Sequence, residues 1–390
     1  MIQSVAMPQS AAAESLRRCR VFRVPTRNPA DIGGLLDLID SGAVPAREIR
    51  AILGKTEGNG GVNDFTRAFA LTAVQNALSE RLGRVPAEVS AQVTIAMSGG
   101  TEGGLSPHLL VFAVGPAGPG RMVTGKSLAL GTAVTRKFHP EELGRIAQIA
   151  ATEAAVHEAM AQAGITSADD VHYVQVKCPL LTAEAVACAA ARRQPLATDG
   201  TYKSMAYSRG ASALGVALAL GEVPADALDD DAVCRRLDLW SGRASASAGI
   251  ELQHNEIIVL GNSESWASAD VIAHRVMRDA IDLPAVQQVL ADAGLASAGQ
   301  LDDAARHRVI AVLAKAEASS TGRIRGARHI MLEDSDINAT RHARALVGGV
   351  LAGLIGRTDL FVSGGAEHQG PDGGGIVAII ARRPRLQADA

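Results

Sequence analysis

Serine in a glycine turn is where an acyl-transfer enzyme can hold a nucleophile, and this chain carries three such serines in one pattern. The strings are Ser98-Gly99-Gly100-Thr101-Glu102, Ser247-Ala248-Gly249-Ile250-Glu251 and Ser363-Gly364-Gly365-Ala366-Glu367. Each reads Ser-[Gly/Ala]-Gly-x-Glu. Upstream of each, a strand-like apolar run ends in lysine: "REIRAILGKTE" at Lys55, "DDVHYVQVKCP" at Lys177 and "RHRVIAVLAKAE" at Lys315. Closing a buried strand with lysine is costly, because the charge must leave water. Three lysines in one repeating position ask for a chemical reason.

A third set is arginine. Arg67 in "TRAFALTAVQNAL", Arg209 in "SRGASALGVALALGEV" and Arg344 in "ARALVGGVLAGLIGR" each open an Ala/Gly/Leu-rich helix. A glycine at a common offset, Gly221 and Gly356, selects Arg344 over Arg341. A cation at a helix start opposes the helix dipole. It suits a site where the arginine and the free N–H groups face a polar ligand together.

Serine needs a base within reach to become a nucleophile, and lysine serves if burial or a neighbouring cation lowers its pKa. Glycines beside the serine let backbone N–H groups face a developing oxyanion. The residue types therefore fit acyl transfer at an amide or ester carbonyl. Three sets around a pseudo-threefold axis would line one pocket and hold a small, flat, polar ring with three carbonyls.

The second set departs from the others. Glu57 and Glu317 follow Lys55 and Lys315 at two residues, whereas Lys177 is followed by Cys178 and Pro179. A nearby glutamate keeps a lysine charged, so the sequence nominates Lys177 as base and Ser247 as nucleophile. The other two pairs would hold and polarise the ring.

The elements that must position these residues alternate between strand and helix, which makes the class α/β. The expected organisation is an N-terminal extension at 1–14 and three similar units at 15–120, 125–265 and 270–390, joined by turn-rich linkers. The site would lie at their junction. The bulk numbers agree with a globular enzyme. Of 390 residues, 47% are hydrophobic and 20% charged, and the net charge of −3 argues against nucleic acid as the main partner. Four cysteines form no C-x-x-C pair, which suits a reducing compartment. No apolar run has the length of a membrane span and the start lacks a signal-peptide core, so a cytoplasmic protein is expected.

Longer motifs carry a resemblance. "GKTEGNGGVNDFTR", "MSGGTEGGLSPH", "VQVKCPLLT", "YSRGASALG", "SASAGIELQHN", "DSDINATRHARA" and "VSGGAEHQGPDGGG" occur in order from about residue 20 to the C-terminal region. They closely resemble the cyanuric acid amidohydrolase/barbiturase family of ring-opening amidases. The resemblance implies three similar units around a pseudo-threefold axis and hydrolytic opening of a cyclic imide. Cyanuric acid would give carboxybiuret, which loses CO2 to become biuret; barbituric acid is the alternative substrate. It implies a homotetramer and no cofactor for the chemistry. Lys55/Ser98, Lys177/Ser247 and Lys315/Ser363 resemble the family's three Ser–Lys pairs. Arg67, Arg209 and Arg344 resemble its substrate-binding arginines, and Gly99, Ala248 and Gly364 would offer N–H groups to ring oxygens. A structural divalent cation, magnesium or calcium, is implied at Glu317, Ala366, Gln369, Gly370, Pro371 and Gly374, mostly through backbone oxygens.

Other signals point elsewhere. "GRMVTGKS" at Gly120–Ser127 satisfies the phosphate-loop pattern. A phosphate loop must open a helix, and the following "LALGTAVTRKF" reads as a strand. His157-Glu158 begins like a zinc-protease helix but lacks the second histidine. His108, His254 and His368 follow the serine strings and read as hydrogen-bonded structural residues.

Overall fold

A run of apolar residues with no polar face must be covered on both sides, and each lysine-ended run becomes an inner strand. The computed structural model describes residues 16–118, 125–332 and 335–384. The first unit contains β1 (Arg17–Pro25), α1 (Gly33–Asp40), β2 (Ile49–Thr56), α2 (Phe65–Leu82), β3 (Thr94–Gly99) and β4 (His108–Pro116). The second contains β5 (Ser127–Val134), α3 (Ile146–Ala163), β6 (Val171–Pro179), α4 (Thr201–Ala219), β7 (Ala244–Gly249) and β8 (Glu256–Ser263). The third contains β9 (Asp270–Met277), α5 (Leu283–Asp292), β10 (Val309–Ala316), α6 (Ala339–Ile355), β11 (Phe361–Gly364) and β12 (Gly375–Arg382). Shorter helical turns and a two-residue ribbon pairing Arg323–Ile324 with Ala327–Arg328 complete the described chain.

The three units share one topology. Each sheet has four strands in the order first, fourth, second, third. The second and third strands run parallel, and the fourth runs antiparallel to both of its neighbours. The parallel pairs place Lys55 opposite Ser98, Lys177 opposite Ser247 and Lys315 opposite Ser363. Each Ser–Lys pair thus sits at the carboxyl ends of two parallel strands, where α/β sheets bind their ligands.

Side-chain alternation explains where the lysines point. In β2, Ala51 and Leu53 join a central core built from all three units, while Ile49 and Ile52 pack outward under α1 and α2. In β10, Ala311 and Leu313 face the same centre and Val312 and Ala314 face α5 and α6. With a period of two, Lys55 and Lys315 continue the inward series to the mouth of the shared core. Three sheets therefore turn one face to a common centre and the other to their own helices.

The long helices end as their sequences require. Asp64 caps α2 and Asn338 caps α6, each accepting from a backbone N–H, and Gly83 and Gly356 close these helices in the left-handed region. Gly221 follows α4 in the same conformation. Residues 1–14 of the expected extension and residues 120–124 of the phosphate-loop string lie outside the described residues. From Ser127 onward that string is strand β5, not a helix. Among the described residues no helix is long and apolar enough to cross a membrane.

Candidate active site

The three serine strings meet. Ser247 Oγ lies 3.0 Å from Ser363 Oγ, and Ser98 Oγ donates to Ser363 Oγ at 3.4 Å. Arg67, Arg209 and Arg344 line the same small cavity, together with Gly99, Ala248 and Gly364. All nine residues are ones the sequence placed at a binding pocket. Gly60 and Met205 complete the lining and carried no sequence signal. The cavity opens beside a cleft of about 960 Å³ that Met205, Arg209, Arg344 and Gly60 also border.

The lysines stand behind the serines and are buried, each about 1% exposed. Lys55 Nζ donates to Ser98 Oγ at 3.3 Å and to the Gly99 carbonyl at 3.1 Å. Lys315 Nζ donates to Ser363 Oγ at 3.3 Å, to the Gly364 carbonyl at 3.1 Å and to the Ala246 carbonyl at 2.9 Å. Lys177 differs: its Nζ donates to the Met97 carbonyl at 2.9 Å and pairs with Glu251 at 2.7 Å. Lys177 and Lys315 thus reach the residue before the serine of the preceding unit, which ties the units together.

One premise of the sequence reading fails here. Lys177 was expected to lack an acidic neighbour, yet it is the lysine that holds a carboxylate, because Glu251 folds back from the end of its own serine string. Glu57, two residues after Lys55, points to solvent instead. Adjacency in sequence misjudged both, since residues two apart on a strand leave by the same face only while the strand continues.

Burial pushes all three lysines below the ordinary lysine range. For Lys55 burial acts first and Arg344 second, so its value falls well below the usual one. Lys315 is lowered to about 7 by burial and then Arg209. Lys177 is lowered by burial, against which Glu251 works most strongly, with Arg67 assisting burial. The glutamates of the other two strings serve arginines. Glu102 accepts from Arg344 at 2.6 and 2.7 Å, and Glu367 accepts from Arg209 at 2.6 and 2.8 Å. These bidentate forks fix the guanidinium planes at the cavity wall.

Such a constellation can bind a flat ring bearing several carbonyls. Arginines and backbone N–H groups supply donors around its rim, and serine hydroxyls crowd its centre. A lysine lowered into the neutral range can take a serine proton.

His108 and His368 take structural roles. His108 is buried with Nδ1 against the Ser106 carbonyl at 2.9 Å, and His368 sits between the Leu239 carbonyl and the Cys234 N–H.

Among the described residues no three His, Cys, Asp or Glu side chains cluster as a metal site. A cation would therefore depend on carbonyl oxygens. Glu317 accepts from the Ala366 N–H at 3.0 Å, and burial followed by Glu367 raises its carboxyl. Ala366, Gly370 and Pro371 line the outer cleft beside it. The Gln369 side chain is already committed, accepting from Ala246 N–H and donating to Gly365 O, so it would offer its main-chain oxygen. Two carboxylates served by one arginine, in a wall of oxygens, fit a hard divalent ion.

Comparison with known proteins shows the family. Residues 20–382 match the family described as amidohydrolase ring-opening protein. A cyanuric acid amidohydrolase of Bradyrhizobium diazoefficiens is 57% identical over 367 residues, covering 93% of this chain and 97% of the relative. One from Pseudomonas sp. (strain ADP) is 53% identical, covering 93% and 98%. A solved cyanuric acid hydrolase superposes with a TM-score of 0.91 at 52% identity, covering 94% of this chain and all of the other. The cyanuric acid hydrolase of A. caulinodans gives a TM-score of 0.87 at 52% identity, covering 94% and 99%.

Proposed function

The chain belongs to the ring-opening amidohydrolase family, and on that premise we propose that it hydrolyses cyanuric acid. The observation that carries this reading is the convergence of three equivalent Arg–Ser sets on one cavity. A ring with three identical carbonyls meets the same donors at each third of the wall.

Ser247 is the nucleophile of this reading and Lys177 its base. Lys55 and Lys315 donate to the oxygens of Ser98 and Ser363, so neither lysine is placed to take a proton from those hydroxyls. Ser247 receives no such bond from Lys177, whose partners are Glu251 and Met97. As Lys177 takes the Ser247 proton, Oγ bonds to a ring carbonyl carbon and the carbonyl π pair moves onto oxygen. Backbone N–H groups and an arginine stabilise that oxyanion. Its collapse breaks the C–N bond, and the leaving nitrogen recovers the proton from Lys177. Water, deprotonated by the same amine, then adds to the acyl–serine carbonyl, and the resulting ammonium returns the proton to Ser247 Oγ as the acyl C–O bond breaks. The net reaction adds one water to the ring to give carboxybiuret, which loses CO2 to leave biuret.

Glu317, with main-chain oxygens of Ala366, Gln369, Gly370, Pro371 and Gly374, would hold a divalent cation. Such an ion would supply fixed positive charge that neutralises the buried carboxylate pair and steadies the loop after β11.

Turnover of cyanuric acid and barbituric acid, side by side, on wild type and Ser247→Ala tests the reading. Cyanuric acid should be opened and the variant should lose at least about a thousandfold in kcat. Turnover of barbituric acid alone would move the substrate, and a variant that keeps near-normal rate would remove Ser247 from its role. The same preparations, treated with chelator and then magnesium or calcium, should lose and regain thermal stability. Glu317→Ala should abolish that response, and an unchanged response in the variant would sink the cation site.

A further inference from the structure

Two of the three serine-string glutamates bind an arginine of the preceding unit, and the third does not. Glu102 of the first unit takes Arg344 of the third, and Glu367 of the third takes Arg209 of the second. The same rotation would bring Glu251 of the second unit to Arg67 of the first. Instead Glu251 pairs with Lys177 at 2.7 Å. Arg67 is only 3% exposed and keeps a buried Nε with no hydrogen-bond partner. Its other nitrogens donate to the Gly61 carbonyl at 2.7 Å and the Ala248 carbonyl at 3.3 Å.

The backbone carries the difference. Gly100 and Gly365, third in their strings, turn through the left-handed region at φ +103° and +76°. Gly249, the equivalent residue, does not adopt it, and β7 runs on to include it. The first and third strings leave the sheet one residue earlier and deliver their glutamates across the unit boundary. Glycine at 249 leaves the same turn open to the second string.

We infer that Glu251 is a positioning residue with two stations. On Lys177 it holds the ammonium form; on Arg67 Nε it completes the ring of arginine–glutamate pairs and frees Lys177 to act as base. The inference rests on the reading that Ser247 and Lys177 are the reacting pair. When Glu251 leaves, the Lys177 ammonium releases one proton to solvent water. The neutral amine then takes the Ser247 hydroxyl proton as Oγ attacks the ring carbonyl. The charged and titratable groups facing Lys177 are Glu251, Arg67 and the Cys178 thiol; those facing Glu251 are Lys177 and Arg67. Between them they decide whether the base is charged before substrate arrives. Arg67 also lines the ring cavity, so a ring carbonyl and Glu251 meet at one guanidinium, and substrate and carboxylate are linked through it.

The test is the pH profile of kcat/KM for cyanuric acid in wild type, Glu251→Gln and Glu251→Asp, with Lys177→Ala as the check on the reacting pair. A neutral amide cannot hold an ammonium. The glutamine variant should therefore carry its acid limb about one pH unit or more below wild type. The aspartate variant, shorter by one methylene, should fall between. The ionisation of the substrate is common to all profiles and cancels in the comparison. An acid limb that stays in place in both variants while the rate falls would reduce Glu251 to a structural residue and overturn the inference. If the glutamine variant does not fold, the aspartate profile decides by the same shift. Near-normal turnover by Lys177→Ala would overturn the reacting pair, and the inference with it.

Discussion

At the scale of single residues, both glycines of each Ser-Gly-Gly string leave no room for a side chain, and the second also holds a left-handed turn that the first does not. A Cβ on Gly100 would stand 2.5 Å from Arg344 Nε, and one on Gly365 would stand 2.5 Å from Arg209 Nε. Gly100 and Gly365 also hold a positive φ that side chains resist. Gly100→Ala should therefore dislodge the Arg344–Glu102 fork, lowering stability by about 1–2 kcal/mol and raising KM for the ring at least about tenfold. Steady-state kinetics with thermal denaturation would check it, and a variant with wild-type KM would show that the fork is dispensable. The serines, lysines and arginines were legible because one spacing returned three times. The partner of Lys177 was not, because a single backbone turn at Gly249 decides where Glu251 lands.

At the scale of elements, strands could be read from apolar runs, but an arginine marks a helix start only in α2; Arg209 and Arg344, expected to open their helices, lie inside α4 and α6. α2 begins at Phe65, just before Arg67, whereas α4 begins at Thr201, two turns before Arg209. That extra length brings Met205 to the cavity wall, a place where the sequence holds only a generic apolar residue. Glycines on α6 test how far an element's sequence serves itself and how far its neighbour. A Cβ on Gly349 or Gly353 would meet nothing within 4 Å, while one on Gly348 would strike the Leu105 side chain at 2.9 Å. Gly349→Ala and Gly353→Ala should each stabilise the protein by about 0.5–1 kcal/mol through helix propensity. Gly348→Ala should destabilise it by about 1–3 kcal/mol through overpacking against the first unit. Urea denaturation of the three variants reads the signs, and a stabilising Gly348→Ala would mean that this helix packs more loosely on the first unit than the contact shows.

At the scale of the whole molecule, three units that share one core should respond to acid as one body, and their buried histidines set where. His108 of the first unit is lowered to about 4 by burial. His172 on β6 and His274 on β9 join the second unit to the third through an Nδ1–Nδ1 contact of 2.9 Å, and burial lowers them to about 4 and about 3. All three are neutral in the fold near neutral pH. Unfolded histidine takes its proton near pH ~6.5. As pH falls below that value the unfolded chain binds protons that the folded chain refuses, so stability must decline. The histidine contribution is fully present above about pH 6.5 and is lost progressively down to about pH 4, below which His108 and His172 add no further slope. His108, the most buried, would contribute about 3 kcal/mol of that loss; the paired histidines are partly solvated and contribute less. Thermal denaturation from pH 7.5 to 4.5 should show one cooperative transition moving to lower temperature. His108→Gln should flatten the curve, since an amide of similar reach accepts no proton in either state. A variant with the wild-type slope would place the acid sensitivity elsewhere. Two transitions instead of one would mean that the central core does not couple the units, against the mixed origin of Leu53, Val174 and Leu313 in a single cluster.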